Sequence, residues 1–263
     1  MSPTRQAPKL TVEQEPFLAV RSFAAGYFSG FVIPPHAHDF HQLLFASSGV
    51  MTVSGGRFSR LVPPSNALFL PAGCAHSIRM WGLVNMRSLV FPCTLESPAL
   101  AHRECRVLSV TPLLRELILR VVEMAALDSR DPAQQHLIDV LLDELDRAPV
   151  NALQLPLPAD ARAMTVADHV LARPSADVTL DALARRFGVG RRTLERLFRN
   201  ETGMSFGLWQ QKARLLDSIR LLAEGKSVTD ASLDAGYSSL SAFIAAFRKT
   251  FGYTPGQAIS RQP

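Results

Sequence analysis

The chain is short of cysteine and has no long apolar run, and both shortages restrict what it can be. Its three cysteines, Cys74, Cys93 and Cys105, are odd in number and show no CxxC spacing. Neither a thiolate metal knuckle nor a disulfide framework is expected. They are read as reduced thiols of a cytoplasmic protein, with Cys74, two residues from His76, acting as a small apolar filler. No apolar stretch approaches the ~18–20 residues of a membrane span, and the opening MSPTRQAPKLTVEQEP lacks the apolar core of a secretory signal. The expectation is a cytoplasmic protein without a membrane partner. At 47% hydrophobic residues over 263 positions, the chain is globular and long enough for two domains with separate cores.

The formal charge of +5 is unevenly distributed. From Ala159 to Pro263 there are 15 Lys/Arg against 10 Asp/Glu, whereas residues 1–158 hold 13 of each. A basic segment joined to a neutral one points to a polyanion-binding half and a half with another task.

Residues 16–92 read as short strands, with alternation in FLAVRSF and FHQLLFA and breakers at Gly49, Gly55-Gly56 and Pro63-Pro64. Such spacing predicts a sandwich or barrel. After Thr111-Pro112 the period becomes helical. Leu114, Leu117, Ile118 and Val121 share one face; Leu137, Ile138, Leu141, Leu142 and Leu145 share another, with Asp139, Asp143 and Glu144 elsewhere. Two helices meeting near Asp131-Pro132 form a hairpin that packs on the barrel, on a second copy of itself, or on both. Pro149, Pro156 and Pro158 then mark a linker. Beyond it, helix starts are expected at Thr179, Ser205, Ser227 and Thr254-Pro255.

The C-terminal part contains a degenerate repeat. LDALARRFGVGRRTLERLFRNETG (180–203) matches VTDASLDAGYSSLSAFIAAFRKTFG (228–252) in four features. These are a small inner residue (Ala184, Ser232), a turn glycine (Gly188, Gly236), apolar residues four apart (Leu194/Phe198, Phe243/Phe247), and a basic residue before a closing glycine. Each is helix-turn-helix geometry. Between them SFGLWQQKARLLDSIRLLAEG (205–225) predicts a single stiff helix with Trp209, Ala213, Leu216 and Ile219 inward. Such a rod sets the two units to enter successive major grooves, ~34 Å apart.

Residues 163–258 resemble the two-helix-turn-helix DNA-binding domain of the AraC/XylS family of bacterial transcription regulators. The most specific part is A-G-Y…F…F-R…F-G-Y-T-P (235–255), and one departure is Gly190, where the family often has serine. The resemblance implies base contacts at positions 192, 195 and 196. Arg192 and Arg196 suit the paired acceptors of guanine, and Glu195 can accept from cytosine. Arg191 and Arg199 are expected on phosphates. In the second unit Ser241, Ile244 and Ala245 occupy the matching positions. There Ser239 and Ser241 are expected at phosphate, Ala242 or Ala245 at a thymine methyl, and Arg248 beside them. The reader is therefore expected to be asymmetric.

PPHAHDFHQLLF (34–45) holds three histidines within six positions. On a strand His36, His38 and Gln42 point one way and His41 the other. PAGCAH (71–76) adds His76. The spacing resembles the paired motifs of the cupin barrel, with Gln42 in place of the usual glutamate, Ser65 in place of a glycine and Met80 in place of an asparagine. The resemblance implies a metal set, His36, His38 and His76, which without an anionic ligand suits Ni²⁺ or Zn²⁺ better than Fe²⁺ or Mn²⁺. The same residues with Gln42 also make a polar patch for a small organic effector, and a purely structural role remains open.

The resulting expectation is an α+β chain. It comprises a cupin-like β-barrel sensor (1–110), a helical hairpin for dimerisation (111–148), a linker (149–160) and an all-α DNA-binding domain with two helix-turn-helix units (161–263). It would act as a homodimeric transcription regulator binding double-stranded promoter DNA and a small-molecule or metal effector, and not as an enzyme. The rivals are a metal-dependent cupin enzyme with a DNA-binding tail, and a nucleic-acid-compacting protein with little sequence choice.

Overall fold

The computed structural model describes residues 17–56, 58–150, 153, 155–174 and 178–259. Its first half consists of β1 (Leu18–Tyr27), β2 (Val32–His36), β3 (His41–Ala46), β4 (Val50–Gly55), β5 (Phe58–Val62), β6 (Asn66–Leu70), β7 (His76–Trp81), β8 (Val84–Phe91) and β9 (Arg106–Ser109). Then come α1 (Pro112–Met124), β10 (Ala126–Asp128) and α2 (Pro132–Arg147). The strands form two antiparallel sheets, ordered β10-β1-β8-β3-β6-β9 and β2-β7-β4-β5. The expected barrel is thus two facing sheets, not one closed ladder. Proline explains the opening: Pro34-Pro35 lie in edge strand β2 and Pro63-Pro64 follow edge strand β5, so both edges lack donors where a ladder would have to cross.

The larger sheet is buried on both faces. Alternation sends Leu44, Ala46, Leu68, Leu70 and Met86 toward Met51, Val53, Ile78 and Met80 of the smaller sheet. The opposite face, with Leu43, Phe45, Ala67, Phe69, Leu89 and Phe91, packs under Leu114, Ile118 and Val121 of α1 and Ile138, Leu141 and Leu145 of α2. The hairpin therefore places its apolar stripes on the sensor's own sheet. Thr111 caps α1 by accepting from Leu114 N and ties the helices together by donating to Glu144 Oε2 at 2.9 Å.

The linker is fastened along its described length. Leu108 and Val150 form a bridge, Leu153 and Leu155 are buried, and Trp209 Nε1 donates to Pro156 O at 2.8 Å. Glu201 Oε2 accepts from the amides of Ala159 and Asp160. The prolines that predict a spacer give a strap that buries Leu153 and Leu155 and half-buries Leu157.

The second half is α3 (Ala161–Ala172), α4 (Leu180–Phe187), α5 (Arg191–Thr202), α6 (Phe206–Ala223), α7 (Val228–Asp234), α8 (Leu240–Phe251) and α9 (Pro255–Ile259). Thr179, Ser205 and Ser227 cap α4, α6 and α7 with their side-chain oxygens, as the sequence predicts. Helix α6 has 18 residues, about 27 Å at 1.5 Å rise per residue. It buries Trp209, Ala213, Leu216 and Ile219 and serves as the shared spine of both units.

Candidate nucleic-acid interface and sensor site

In the first unit Gly188 takes the left-handed turn conformation (φ +63°) between α4 and α5. Helix α5 is oriented by Leu194, Leu197 and Phe198, all buried. Arg191, Arg192, Arg196 and Arg199 are consequently exposed, and Glu195 is half-buried between them. The family-type serine is absent at the α5 cap, and Gly190 makes no side-chain cap bond. Arg191 Nη1 reaches Asp181 of α4 at 3.1 Å, a pairing that no motif signals. Arg192, Arg196 and Arg199 are exposed on the same helix.

In the second unit the turn glycine is Gly236 (φ +77°). Phe243, Phe247 and Phe251 anchor α8, stacked among Tyr237 and Tyr253. Outward lie Ser239, Ser241, Ala242, Ala245 and Arg248, while Ile244 is half-buried. Ser239 Oγ accepts from Ala242 N as the helix cap and stands 3.3 Å from Ser241 Oγ. The two units thus share a frame but expose different chemistry: guanidinium groups on α5, hydroxyls and methyls on α8.

At the open end of the sandwich His36, His38 and His76 come together, with ring centroids 4.3 Å (His36–His76), 5.3 Å (His38–His76) and 6.2 Å (His36–His38) apart. Each Nδ1 faces a backbone carbonyl, that of Pro34, Phe40 and Cys74 respectively, at 2.7–2.9 Å. On His36 and His76 this fixes the proton on Nδ1 and leaves the Nε2 lone pair for a ligand. His76 is 1% exposed, and its Nε2 has no partner. Burial lowers its pKa to about 4, reinforced by His36 and His38 and opposed by the bond to the Cys74 carbonyl. His76 is therefore neutral at pH 7.

Gln42 is committed at both ends of its amide. Oε1 lies 2.8 Å from His38 Nε2, and Nε2 donates to Ser88 Oγ at 2.6 Å. His38 is accordingly engaged at both ring nitrogens. The three histidines converge as the motif predicts, but they do not fit a metal ion. Among the described residues no group of three or more His, Cys, Asp or Glu is arranged to hold one. Gln42, in the glutamate's place, brings no anionic oxygen and engages the His38 nitrogen that a metal would need. The core between the sheets includes Met51, Met80 and Met86, unbranched side chains that repack readily. His41 points to the other face, as expected. It stacks on Phe69, accepts from Ala72 N, and borders an open hollow with Cys93, Leu95, Glu96 and Leu100.

The sensor and reader meet at the end of α6. Arg220 lies over Trp81 of β7, 4.7 Å from the indole centroid, held by Asp217 and Glu224. Gly82 packs so closely that a Cβ there would sit 2.2 Å from Ala223 O. Sequence reading did not find this contact, because Trp81 and Arg220 belong to no motif.

Residues 20–154 match the family model described as an AraC-like ligand binding domain, and residues 183–261 match a helix-turn-helix domain. The chain is 32% identical over 229 residues to the HTH-type transcriptional regulator NimR of Escherichia coli (strain K12), spanning 87% of this chain and 82% of that one. The virulence regulon transcriptional activator VirF of Yersinia enterocolitica is 41% identical over 80 residues, 30% of each chain. Among solved structures, ToxT from Vibrio cholerae aligns with a TM-score of 0.39 at 11% identity, covering 92% of this chain and 98% of that one. The assignment rests on the family models and on the first relative. Among the described residues no helix is long and apolar enough to cross a membrane. The chain belongs to the AraC family of transcription regulators, with an N-terminal ligand-binding domain and a C-terminal helix-turn-helix DNA-binding domain.

Proposed function

We propose that this regulator selects its promoter chiefly through α5 and uses α8 to set register on the phosphate backbone. The observation that carries the reading is the outward face of α5. Arg192 and Arg196 are exposed beside Glu195 while Leu194, Leu197 and Phe198 fix the helix from behind. Two arginines near a half-buried carboxylate offer both donors and an acceptor to base edges. Arg191 and Arg199 contact phosphate in this reading. On α8, Ser239, Ser241 and Arg248 hold phosphate, and Ala242 and Ala245 lie against base methyls. The α6 spine holds both units for successive major grooves on one side of the duplex. Working on chromosomal DNA places the protein in the cytoplasm.

The sensor function falls to His36, His38, Gln42 and His76. Two Nε2 lone pairs, one of them buried and unpartnered, call for a small organic effector that donates hydrogen bonds. Met51, Met80 and Met86 of the core between the sheets can repack around its apolar part. The effector acts through differential affinity for two arrangements of the domains. Two copies meet through the solvent side of the hairpin, where Leu113 and Val140 are exposed. The regulator reading is preferred to a metal-dependent enzyme because Gln42 brings no anionic ligand and blocks His38. The test is binding of full-length protein to genomically selected fragments and to random DNA at one fixed salt, with and without chelator. A specificity ratio of about 10³ or more, unchanged by chelation, is expected. A ratio near unity supports DNA compaction, and a chelator-sensitive ratio restores Ni²⁺ or Zn²⁺ at the histidines.

A further inference from the structure

The three cysteines carry no motif, yet the fold brings two of them together. Strand β9 pairs with β6 in a register that sets Phe69 opposite Arg106, so Cys105 arrives beside the end of β6. The chain then reverses at Pro71, with Cys74 N donating to Pro71 O and Gly73 N to His38 O. This reversal folds Cys74 back onto Cys105. Their Sγ atoms are 3.0 Å apart across 31 residues of sequence, about 1 Å beyond covalent length. Both thiols are free and half-buried, flanked by exposed Gly73 and Ala75 on one side and Glu104 on the other.

We propose that Cys74 and Cys105 are a redox modification site: a dithiol that a hydroperoxide converts to a reversible intramolecular disulfide, giving the sensor domain an oxidant input. Cys74, between the exposed Gly73 and Ala75, takes the first attack, while burial and the hydrogen bond to Cys74 raise the Cys105 pKa. Its thiolate displaces hydroxide from hydrogen peroxide to give a sulfenic acid, and the hydroxide takes up the proton lost by Cys74. The Cys105 sulfur then attacks the sulfenic sulfur. The S–O bond breaks as the S–S bond forms, and the departing hydroxyl leaves as water with the Cys105 proton. Overall two thiols and one peroxide give one disulfide and two waters. A dithiol reductant reverses the change.

Two neighbours give the bond something to act on. The Cys74 carbonyl fixes the His76 ring through Nδ1 at 2.9 Å, so drawing Cys74 toward Cys105 shifts the group that orients the buried histidine. On the other side, Arg60 interacts electrostatically with both Cys105 and Lys212 of α6, next to the reader's spine. The pair is thus tied to the histidine cluster through the Cys74 carbonyl and coupled electrostatically through Arg60 toward Lys212 of α6. Cys93, whose Sγ donates to Asp39 O, stands apart from it.

The experiment treats reduced full-length protein with hydrogen peroxide, alkylates the remaining thiols and maps the peptides. The expected result is a Cys74–Cys105 cross-linked peptide, loss of two hydrogens from the intact mass, and reversal by dithiothreitol. Cys93→Ser should leave this unchanged. Cys105→Ser should stop the reaction at a Cys74 sulfenic acid, trapped by a 1,3-dione probe. DNA affinity should differ by about 5-fold or more between the two states, and the difference should vanish in Cys105→Ser. Full alkylation of Cys74 and Cys105 after oxidation, a linkage through Cys93, or equal DNA affinity in the two states would each overturn the proposal. Peptide mapping needs no DNA, so its outcome is separable from any failure of the promoter-reading assignment.

Discussion

Helices α5 and α8 are the same element built twice with different outward surfaces. Each has twelve residues and closes on a left-handed glycine, Gly203 or Gly252. Each is anchored by an apolar pair four apart; α5 packs directly on the spine α6, whereas α8 reaches it through α7 and α9. Outward, α5 carries Arg192, Glu195, Arg196 and Arg199, whereas α8 carries serines and alanines until Arg248 in its last turn. The frame is thus set by buried positions and the readout by exposed ones, and the two sets vary independently. One duplicated fold presents two chemically different surfaces, guanidinium groups on α5 and hydroxyls and methyls on α8.

The largest effect should come from the spine that both units share. Trp209 is fully buried, packs edge-on to Phe198 at 5.1 Å and bonds to the strap at Pro156. Trp209→Ala should lower stability by about 3–5 kcal/mol, visible as an earlier denaturant midpoint, with DNA affinity lost at both half-sites together. Loss at only one half-site would mean that the units are held independently. Next, Arg192→Ala and Arg196→Ala should each weaken binding by about 1–3 kcal/mol and relax base choice at one half-site, as read by competition among single-base operator variants.

Turn glycines separate the units by sterics. Gly188→Ala and Gly236→Ala both incur about 1–2 kcal/mol of left-handed strain. Gly236→Ala should cost more, because its Cβ would meet Arg214 Nη1 at 3.0 Å while that at Gly188 meets nothing. Equal midpoints in thermal unfolding would show that Arg214 gives way freely. The smallest effect is expected of Ser241→Ala, at most about 1 kcal/mol and the same for every operator variant.

Much of this architecture is legible in the sequence because local signals and tertiary fold agree there. Thr179, Ser205 and Ser227 announce helix starts, Gly188 and Gly236 announce turns, and the Leu194/Phe198 and Phe243/Phe247 pairs fix which face is buried. The alternation in β3 predicts a strand but not that both its faces are covered, since that depends on a hairpin some 70 positions away, about half a small domain of sequence. The open sandwich follows from prolines whose edge position only the sheet order reveals. In the linker, Pro149, Pro156 and Pro158 signal extended backbone, whereas its fastening comes from Trp209 and Glu201, which carry no local mark. The histidine spacing brings the rings together, yet Gln42's double commitment depends on Ser88 across the β3–β8 ladder. The Cys74–Cys105 contact likewise needs the β6–β9 register. Contacts made by register and docking, not by periodicity, are what a single sequence leaves unread.

The most direct measurement is selection of full-length protein, wild type and Arg192→Ala/Arg196→Ala, on DNA with both half-sites randomised. Strong base preference should appear at one half-site and weak preference at the other, and the double substitution should flatten the strong one while leaving the weak one as it was. Flattening of the weak half-site instead, or a strong preference that survives loss of both arginines, would contradict the division of labour between α5 and α8.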